Sequence, residues 1–167
     1  YHHTVAQLLI TGDDTTNDTR RLNFTNTLNR LLELGALPII NENDTVATDE
    51  IVIGDNDTLA AIVARSVHAD MLILLSDIDG LYTADPHTHP EATLLHHVAG
   101  IDDHIREIAG ISSSTQGTGG MVTKLHAADI CLGCGCKMVI ANGNNPGNLY
   151  DILEGKTVGT TFSEERL

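Results

Sequence analysis

Segments of strand length alternate with segments of helical periodicity along the whole chain, and this alternation limits the possible folds more than any other feature. Apolar runs predict strands at 5–11, 37–40, 71–75, 138–141 and 158–162. Apolar residues at helical spacing predict helices at 21–34, 58–67, 101–109, 121–131 and 148–153. The 167 residues are enough for one domain with a substantial core. We therefore predict an α/β domain with a parallel-rich sheet and helices on both faces.

The segments between these elements are mostly polar. Gly35 stands where the first long helix should end, which is typical of a left-handed cap. Residues 12–18 are predicted to be a polar loop, and residues 41–57 a long one. The middle of that second loop, residues 50–53, has the composition of a strand or hairpin arm.

A glycine-rich stretch, Gly-Thr-Gly-Gly-Met-Val-Thr-Lys at 117–124, precedes one of the predicted helices. Glycines let backbone N–H groups approach a ligand closely, and the start of a helix offers unpaired N–H groups that suit a phosphate. Lys124 adds a positive charge near that point. The stretch is neither a Walker A loop nor a dinucleotide-binding fingerprint. The same composition also suits a flexible surface linker, and the loop alone does not decide between the two.

Polar clusters follow directly after three predicted strands, at Asn41–Asp44, Ser76–Asp77 and Ala141–Gly143. A fourth cluster, Gly54–Asp57, begins a helix, where Asp57 suits a capping position. In parallel α/β sheets, ligands bind outside the carboxyl ends of the strands. These clusters therefore predict one ligand site at that edge of the sheet, although asparagine and aspartate are also common turn residues.

The overall charge narrows the class of ligand. The formal net charge is -14 and aromatic residues make up 3% of the chain, so neither a basic surface nor a base-stacking platform for nucleic acid is expected. No apolar run approaches the length of a membrane span. An acidic protein can still bind an anion where a pocket is locally positive and a divalent cation assists.

Three cysteines lie close together, at Cys131, Cys134 and Cys136. Together with His126 they are a candidate zinc site. We favour the interpretation that the cysteines are small apolar residues packed where a helix ends and a strand begins, because no second pair of ligands has zinc-finger spacing. An odd number of cysteines suits a reducing compartment, and we expect a cytoplasmic location.

Taken in order, the polar blocks resemble the amino acid kinase family, and within it the kinases that act on glutamate. The resemblance covers essentially the whole chain, from Gln7 to Thr160. It is carried by Ile-Ile-Asn-Glu-Asn-Asp-Thr-Val-Ala-Thr at 39–48, Gly-Asp-Asn-Asp at 54–57, Leu-Ser-Asp-Ile-Asp-Gly-Leu-Tyr at 75–82, and the glycine-rich stretch at 117–124. The third block is shared more widely within the family than the other three.

The resemblance implies a three-layer α/β/α sandwich with a largely parallel sheet. It also implies ATP-dependent phosphorylation of the γ-carboxylate of L-glutamate, the first step of proline biosynthesis. ATP and L-glutamate are then the substrates, and Mg²⁺ accompanies ATP without an assigned metal-ligating residue. We expect a homo-oligomer that binds neither nucleic acid nor membrane.

The resemblance also implies roles for individual residues. Asp44 and Asn56 match glutamate-binding positions, and Asp55 belongs to the same loop. Asp57 matches an aspartate that orients the active-site lysines, so Lys124 and Asp57 are the catalytic candidates. The nucleotide-binding candidates are Ser76, Asp77, Thr118, Gly119, Gly120, Met121, Val122, Thr123 and Lys124.

The chemistry of these residue types suits that reaction. A carboxylate acceptor with an ordinary pKa of about 4.3 is already ionised at neutral pH, so no general base is needed. The obstacle is repulsion between two anions, which positive charge and correct positioning relieve. Lys124 and the N–H groups of the glycine-rich stretch provide the positive charge. Asp44 and Asp55 suit an α-ammonium group of the substrate.

The sequence also departs from the family pattern. The glycine-rich turn that carries a phosphate-binding lysine and the serine that helps bind glutamate, both near the start of the family's kinase domain, are not in these 167 residues. Nor is the carboxyl-terminal PUA domain of many members. We therefore expect residues 1–167 to be the carboxyl-terminal portion of the kinase domain. Two alternatives remain: a family member that phosphorylates carbamate, N-acetylglutamate or a nucleoside monophosphate, and a truncated nucleotide-binding module without activity.

Overall fold

The structure is a computed structural model, which describes residues 2–46, 53–111 and 120–164. Helices and strands are interspersed along the chain. In chain order they are β1 (Val5–Ile10), α1 (Gly12–Thr16), α2 (Asp18–Glu33), β2 (Leu37–Glu42), α3 (Asn56–Ser66), β3 (Met71–Ser76), β4 (His97–Val98), α4 (Asp103–Ile111), α5 (Met121–Leu132), β5 (Lys137–Asn142), α6 (Asn148–Leu153) and β6 (Thr160–Phe162).

The described strands form two sheets. Strands β1 and β2 pair in parallel, with Val5 opposite Leu37. The second sheet has the order β3-β5-β6-β4, in which β3 pairs with β5 in parallel and β4 with β6 in parallel, while β5 and β6 are antiparallel. The prediction of a largely parallel α/β fold is confirmed.

Strand β5 shows why helices lie on both faces of the larger sheet. Its residues alternate between two apolar clusters, because successive side chains of a strand point to opposite faces. Met138 and Ile140 pack in the main core with residues of α3, α4 and α5, whereas Val139 and Ala141 pack with Ile152 of α6. The result is the predicted three-layer α/β/α arrangement.

Helix α3 contributes to two apolar clusters. Its Ala61 and Ala64 belong to the main core. Its Leu59 packs instead with Phe24 and Leu28 of α2, beneath the β1–β2 sheet. The helix therefore connects the packing of the two sheets.

On the other side of the β1–β2 sheet, four large apolar residues are not covered by any of the described residues. Val5 and Leu9 of β1 are 56% and 47% exposed, and Leu37 and Ile39 of β2 are 58% and 53% exposed. These four residues alternate with the inward-facing residues of the same strands, and we call them the outer face.

Most element boundaries agree with the sequence, and two predictions do not. The predicted polar loop at 12–18 is wrong: residues 12–16 form helix α1, because the Asp14 carboxylate accepts hydrogen bonds from the Thr11 N–H and hydroxyl at 2.7 and 2.8 Å. Helix α2 begins three residues before the predicted start, with Asn17 as its cap. Gly35 has the expected left-handed conformation, with φ of 69°.

The proposed strand or hairpin arm at 50–53 lies outside the described residues, except for Ile53, which is not in a strand. Among the described residues, no helix is long and apolar enough to cross a membrane.

Candidate active site

A polar pocket of about 330 Å³ lies at the carboxyl end of β2, where the first turns of α3 and α5 meet it. It brings together five of the candidate site residues that the sequence indicates. Its lining consists of Asn41, Glu42, Asp44, Gly54, Asp55, Asn56, Asp57 and Lys124. We call this the acidic pocket, because four of these eight residues carry carboxylates and one carries an amine.

The single lysine of the pocket is paired with one of these carboxylates. Lys124 lies in the first two turns of α5 and is only 7% exposed. Its Nζ is 3.1 Å from Oδ2 of Asp57, in the first turn of α3. The Thr123 hydroxyl donates to the same oxygen at 2.8 Å. A buried ammonium group requires such a partner, so the pair fixes where Lys124 can direct its charge.

The residues around Lys124 divide between the core and the surface. Gly120 is the N-cap of α5, so the first-turn N–H groups of the helix follow it directly. Met121 is buried in the main core, while Val122 is 57% exposed. Thr123 faces Asp57. Thr118 and Gly119, also nucleotide-binding candidates, lie outside the described residues.

Asp55 has a structural role as the N-cap of α3. Its carboxylate accepts from the Thr58 N–H at 2.7 Å and from the Thr58 hydroxyl at 2.8 Å. This contact holds the first turn of α3, from which Asn56 and Asp57 reach the pocket. Asp44, which lines the pocket just after β2, is exposed. Its carboxylate suits a cationic group of a ligand.

Glu42, the last residue of β2, is part of the pocket wall, although the sequence assigns it no individual role. Its Oε1 accepts from the Ile53 N–H at 2.8 Å, and its Oε2 lies 3.5 Å from the Gly54 nitrogen. Glu42 therefore ties the carboxyl end of β2 to the segment that leads into α3. The only signal in the sequence is its place within Asn-Glu-Asn-Asp.

Ser76 and Asp77, two more nucleotide-binding candidates, do not line the acidic pocket. They lie at the carboxyl end of β3, where the Ser76 hydroxyl donates to Asp77 Oδ1 at 3.1 Å. The Gly143 N–H donates to the Ser76 carbonyl at 2.8 Å, which joins the ends of β3 and β5. These residues thus form a second polar edge, separate from the pocket.

A hydrogen-bonded group next to that edge was also not selected from the sequence. Asp79 accepts from the Asn142 side-chain amide at 2.8 Å and from the Tyr82 hydroxyl at 3.1 Å. Burial and the bond to Asp79 raise the pKa of Tyr82, which keeps its hydroxyl a donor. The group holds the turn after β3 against the end of β5. Its signal in the sequence was the spacing Asp-x-Asp-Gly-x-Tyr.

Comparison with known proteins identifies the family of this chain. The model of the Amino acid kinase family matches residues 1–142. Glutamate 5-kinase of Herpetosiphon aurantiacus is 51% identical over 162 residues, which cover 97% of this chain and 44% of that protein. Glutamate 5-kinase of Clostridium perfringens is 49% identical over 166 residues, 97% of this chain and 62% of that protein.

Solved structures agree on the fold. UMP kinase from Bacillus anthracis has a TM-score of 0.65 at 14% identity, over 99% of this chain and 60% of its own. Isopentenyl phosphate kinase from T. acidophilum has a TM-score of 0.63 at 20% identity, over 96% of this chain and 60% of its own. At such identities the likeness concerns the fold alone.

The chain spans roughly half of the curated relatives that it matches, 44% of one and 62% of the other. Within this chain, by contrast, the family model extends from the first residue to the end of β5. It therefore includes β2, α3 and α5, the three elements that bring Lys124 and Asp57 to the acidic pocket. The chain belongs to the amino acid kinase family.

Proposed function

We propose that the protein containing this chain transfers the γ-phosphoryl group of ATP to the γ-carboxylate of L-glutamate. The product is glutamyl 5-phosphate, and the reaction begins proline biosynthesis. One observation carries the proposal: a buried, carboxylate-paired lysine, Lys124, opens onto a pocket lined by Asp44 and Asn56. The glutamate 5-kinases that share about half of its residues support it.

Charge and position are the whole catalytic requirement for this acceptor. The γ-carboxylate is ionised at neutral pH and attacks without losing a proton. Two anions must approach each other, and negative charge spreads over the transferred group in the transition state. Lys124 supplies a positive charge at that point. Asp57 and Thr123 hold the lysine in place, so that little reorganisation is needed during the reaction.

Recognition of the acceptor falls to pocket residues other than Lys124 and Asp57. The carboxylate of Asp44 suits the α-ammonium group of an amino acid, and the side-chain amides of Asn41 and Asn56 can donate to a carboxylate. Asp55 acts mainly through the helix that it caps. An acceptor without an ammonium group would leave Asp44 without its cationic partner, which disfavours carbamate, N-acetylglutamate and nucleoside monophosphates.

ATP is assigned to the glycine-rich stretch and to the edge formed by Ser76 and Asp77. Helix N-termini bind phosphate well, and Gly120 places one beside Lys124. Among the described residues, no three histidine, cysteine or acidic side chains are arranged to hold a metal ion. We expect Mg²⁺ to arrive with the nucleotide, because Mg²⁺ is commonly bound through substrate phosphates and few protein ligands. When bound, it would neutralise charge on the phosphates.

The remaining proposals concern the setting of the enzyme. An enzyme of amino acid biosynthesis with three free cysteines suits the cytoplasm. The uncovered outer face suits contact with further protein, either within the chain or in a homo-oligomer.

The proposal is tested by coupled ADP release with the full-length protein, offered L-glutamate, carbamate, N-acetylglutamate or UMP in parallel. We expect turnover with L-glutamate and a far lower kcat/KM with the others. Lys124→Ala should lower kcat strongly. Lys156→Ala, which removes an exposed lysine just after α6, is the matched control that should remain active. Preference for another acceptor would replace glutamate in the proposal. ATP binding without release of ADP for any acceptor would favour a non-catalytic nucleotide-binding module.

A further inference from the structure

We propose that Glu42 is a positioning residue for the acceptor: it fixes the distance between the two walls of the acidic pocket without contacting the reacting atoms. The inference rests on the proposed function. It concerns a residue whose contacts in the structure are with the backbone, and which has no ion-pair partner among the described residues.

The backbone of Glu42 is firmly anchored. It is the last residue of β2 in the ladder with β1, where it pairs with Ile10. The following residue, Asn43, donates its N–H to the Ile10 carbonyl at 2.7 Å. The side chain of Glu42 therefore extends from a fixed point at the end of the sheet, on the same strand end as Asn41 and Asp44.

From this fixed point the carboxylate holds the segment that enters α3. The bond of 2.8 Å from the Ile53 N–H bridges eleven positions of sequence, and the Gly54 nitrogen is 3.5 Å from the second oxygen. Gly54 turns the chain with φ of 88°, a left-handed conformation that leads directly into Asp55. Asp55 then caps α3. The orientation of this short segment thus sets where Asn56 and Asp57 lie.

A direct role for Glu42 in binding substrate fits less well. The best-placed lone pairs of its carboxylate already accept from backbone N–H groups, and such charge-assisted bonds are strong. A further anion facing a glutamate carboxylate would also repel it. A carboxylate that is hydrogen-bonded to N–H groups of the pocket wall reduces this repulsion and keeps the wall in place.

The test compares Glu42→Ala and Glu42→Gln in the full-length protein, with Glu33→Ala as the matched control. Glu33 is an exposed carboxylate of α2 that contacts only Arg30 among the described residues. For Glu42→Ala we expect the KM for glutamate to rise about tenfold or more, since small displacements of binding groups are costly. The KM for ATP should stay within about twofold. Glutamine should restore much of the loss, because its amide oxygen still accepts from Ile53.

The outcomes separate the two proposals. A wild-type protein that releases no ADP with glutamate overturns the proposed function, and with it the basis for this role of Glu42. An active wild type whose Glu42→Ala variant keeps its glutamate KM overturns the role of Glu42 alone. A parallel rise of both KM values with a lowered Tm, not rescued by glutamine, also overturns it by showing general destabilisation. If Glu42→Ala does not fold, Glu42→Asp, which is one methylene too short to reach Ile53, must show the same selective rise in glutamate KM.

Discussion

Replacing Lys124 with alanine should affect stability and catalysis by separate and predictable amounts. In the structure its Nζ lies 3.1 Å from Asp57, and the lysine is 7% exposed. Removing one partner of a fully buried pair costs about 3–5 kcal/mol. The Asp57 side chain is 19% exposed and keeps the Thr123 hydroxyl as a donor. We therefore expect Lys124→Ala to lower the free energy of unfolding by about 3 kcal/mol, the lower end of this range. The Tm should fall by roughly 6–12 °C.

The catalytic loss should be seen in kcat. Loss of one charge-stabilising donor typically lowers kcat by about 10²–10³, or about 2.7–4 kcal/mol of transition-state stabilisation. The KM for glutamate should change little, because an interaction made mainly in the transition state does not contribute to binding of the ground state. The measurement is steady-state ADP release at saturating ATP, at a temperature well below the Tm of the variant.

A double-mutant cycle with Asp57→Asn tests the reasoning further. If Asp57 acts by holding Lys124, then in the double variant the loss of Asp57 should add almost nothing to the loss of Lys124. Fully additive losses would mean that Asp57 acts independently of the lysine. A Lys124→Ala enzyme with near-normal kcat would refute the assignment of Lys124 itself.

Four other predictions follow from particular contacts. Asp44→Ala should raise the KM for glutamate roughly tenfold or more by removing a charged partner, and an equal loss of ATP affinity by titration would contradict it. Gly159→Ala should lower the free energy of unfolding by about 3 kcal/mol, because φ is 64° and a Cβ there would collide with the Ile140 carbonyl; an unchanged urea midpoint would refute this. Cys134, which is exposed, should react with iodoacetamide in the native protein before Cys131, because burial raises the pKa of the Cys131 thiol to about 12; peptide mapping by mass spectrometry identifies the order. The isolated 167-residue chain should associate through its outer face, and a lysine introduced there should reduce light scattering, whereas unchanged scattering would exclude that face.

Periodicity predicted the elements that bury an apolar side. The helix at 148–153 and the strand at 71–75 agree with α6 and β3 to within one residue, because the first has apolar residues at helical spacing and the second is a short continuous apolar run. Helix α1 was missed for the opposite reason. Gly-Asp-Asp-Thr-Thr contains no apolar residue, and the helix depends on the local bonds between Thr11 and Asp14.

The site was predictable where a residue type indicates its own chemistry. Asp44 lies in a polar cluster after a strand, Asn56 in the cluster that begins a helix, and Lys124 beside the glycine-rich stretch, and the structure brings them to one pocket. Their individual roles were assigned by the family resemblance. Glu42 lies in the same cluster as Asp44 but received no role, because its partners are backbone N–H groups eleven and twelve positions away. The separation of Ser76 and Asp77 from that pocket depends on strand order, which is a non-local property.

Helix α3 packs both in the main core and in the cluster beneath the β1–β2 sheet, and this double packing affects how the protein unfolds. Within the described residues the two sheets share no ladder of hydrogen bonds, so by topology alone they would be two independent folding units. Leu59 on one side of the helix and Ala61 on the other commit it to both. Opening either sheet exposes one apolar side of α3, and the helix then packs less firmly against the other sheet. We therefore expect the two sheets to unfold as one cooperative unit, whose loss separates Asp57 from Lys124.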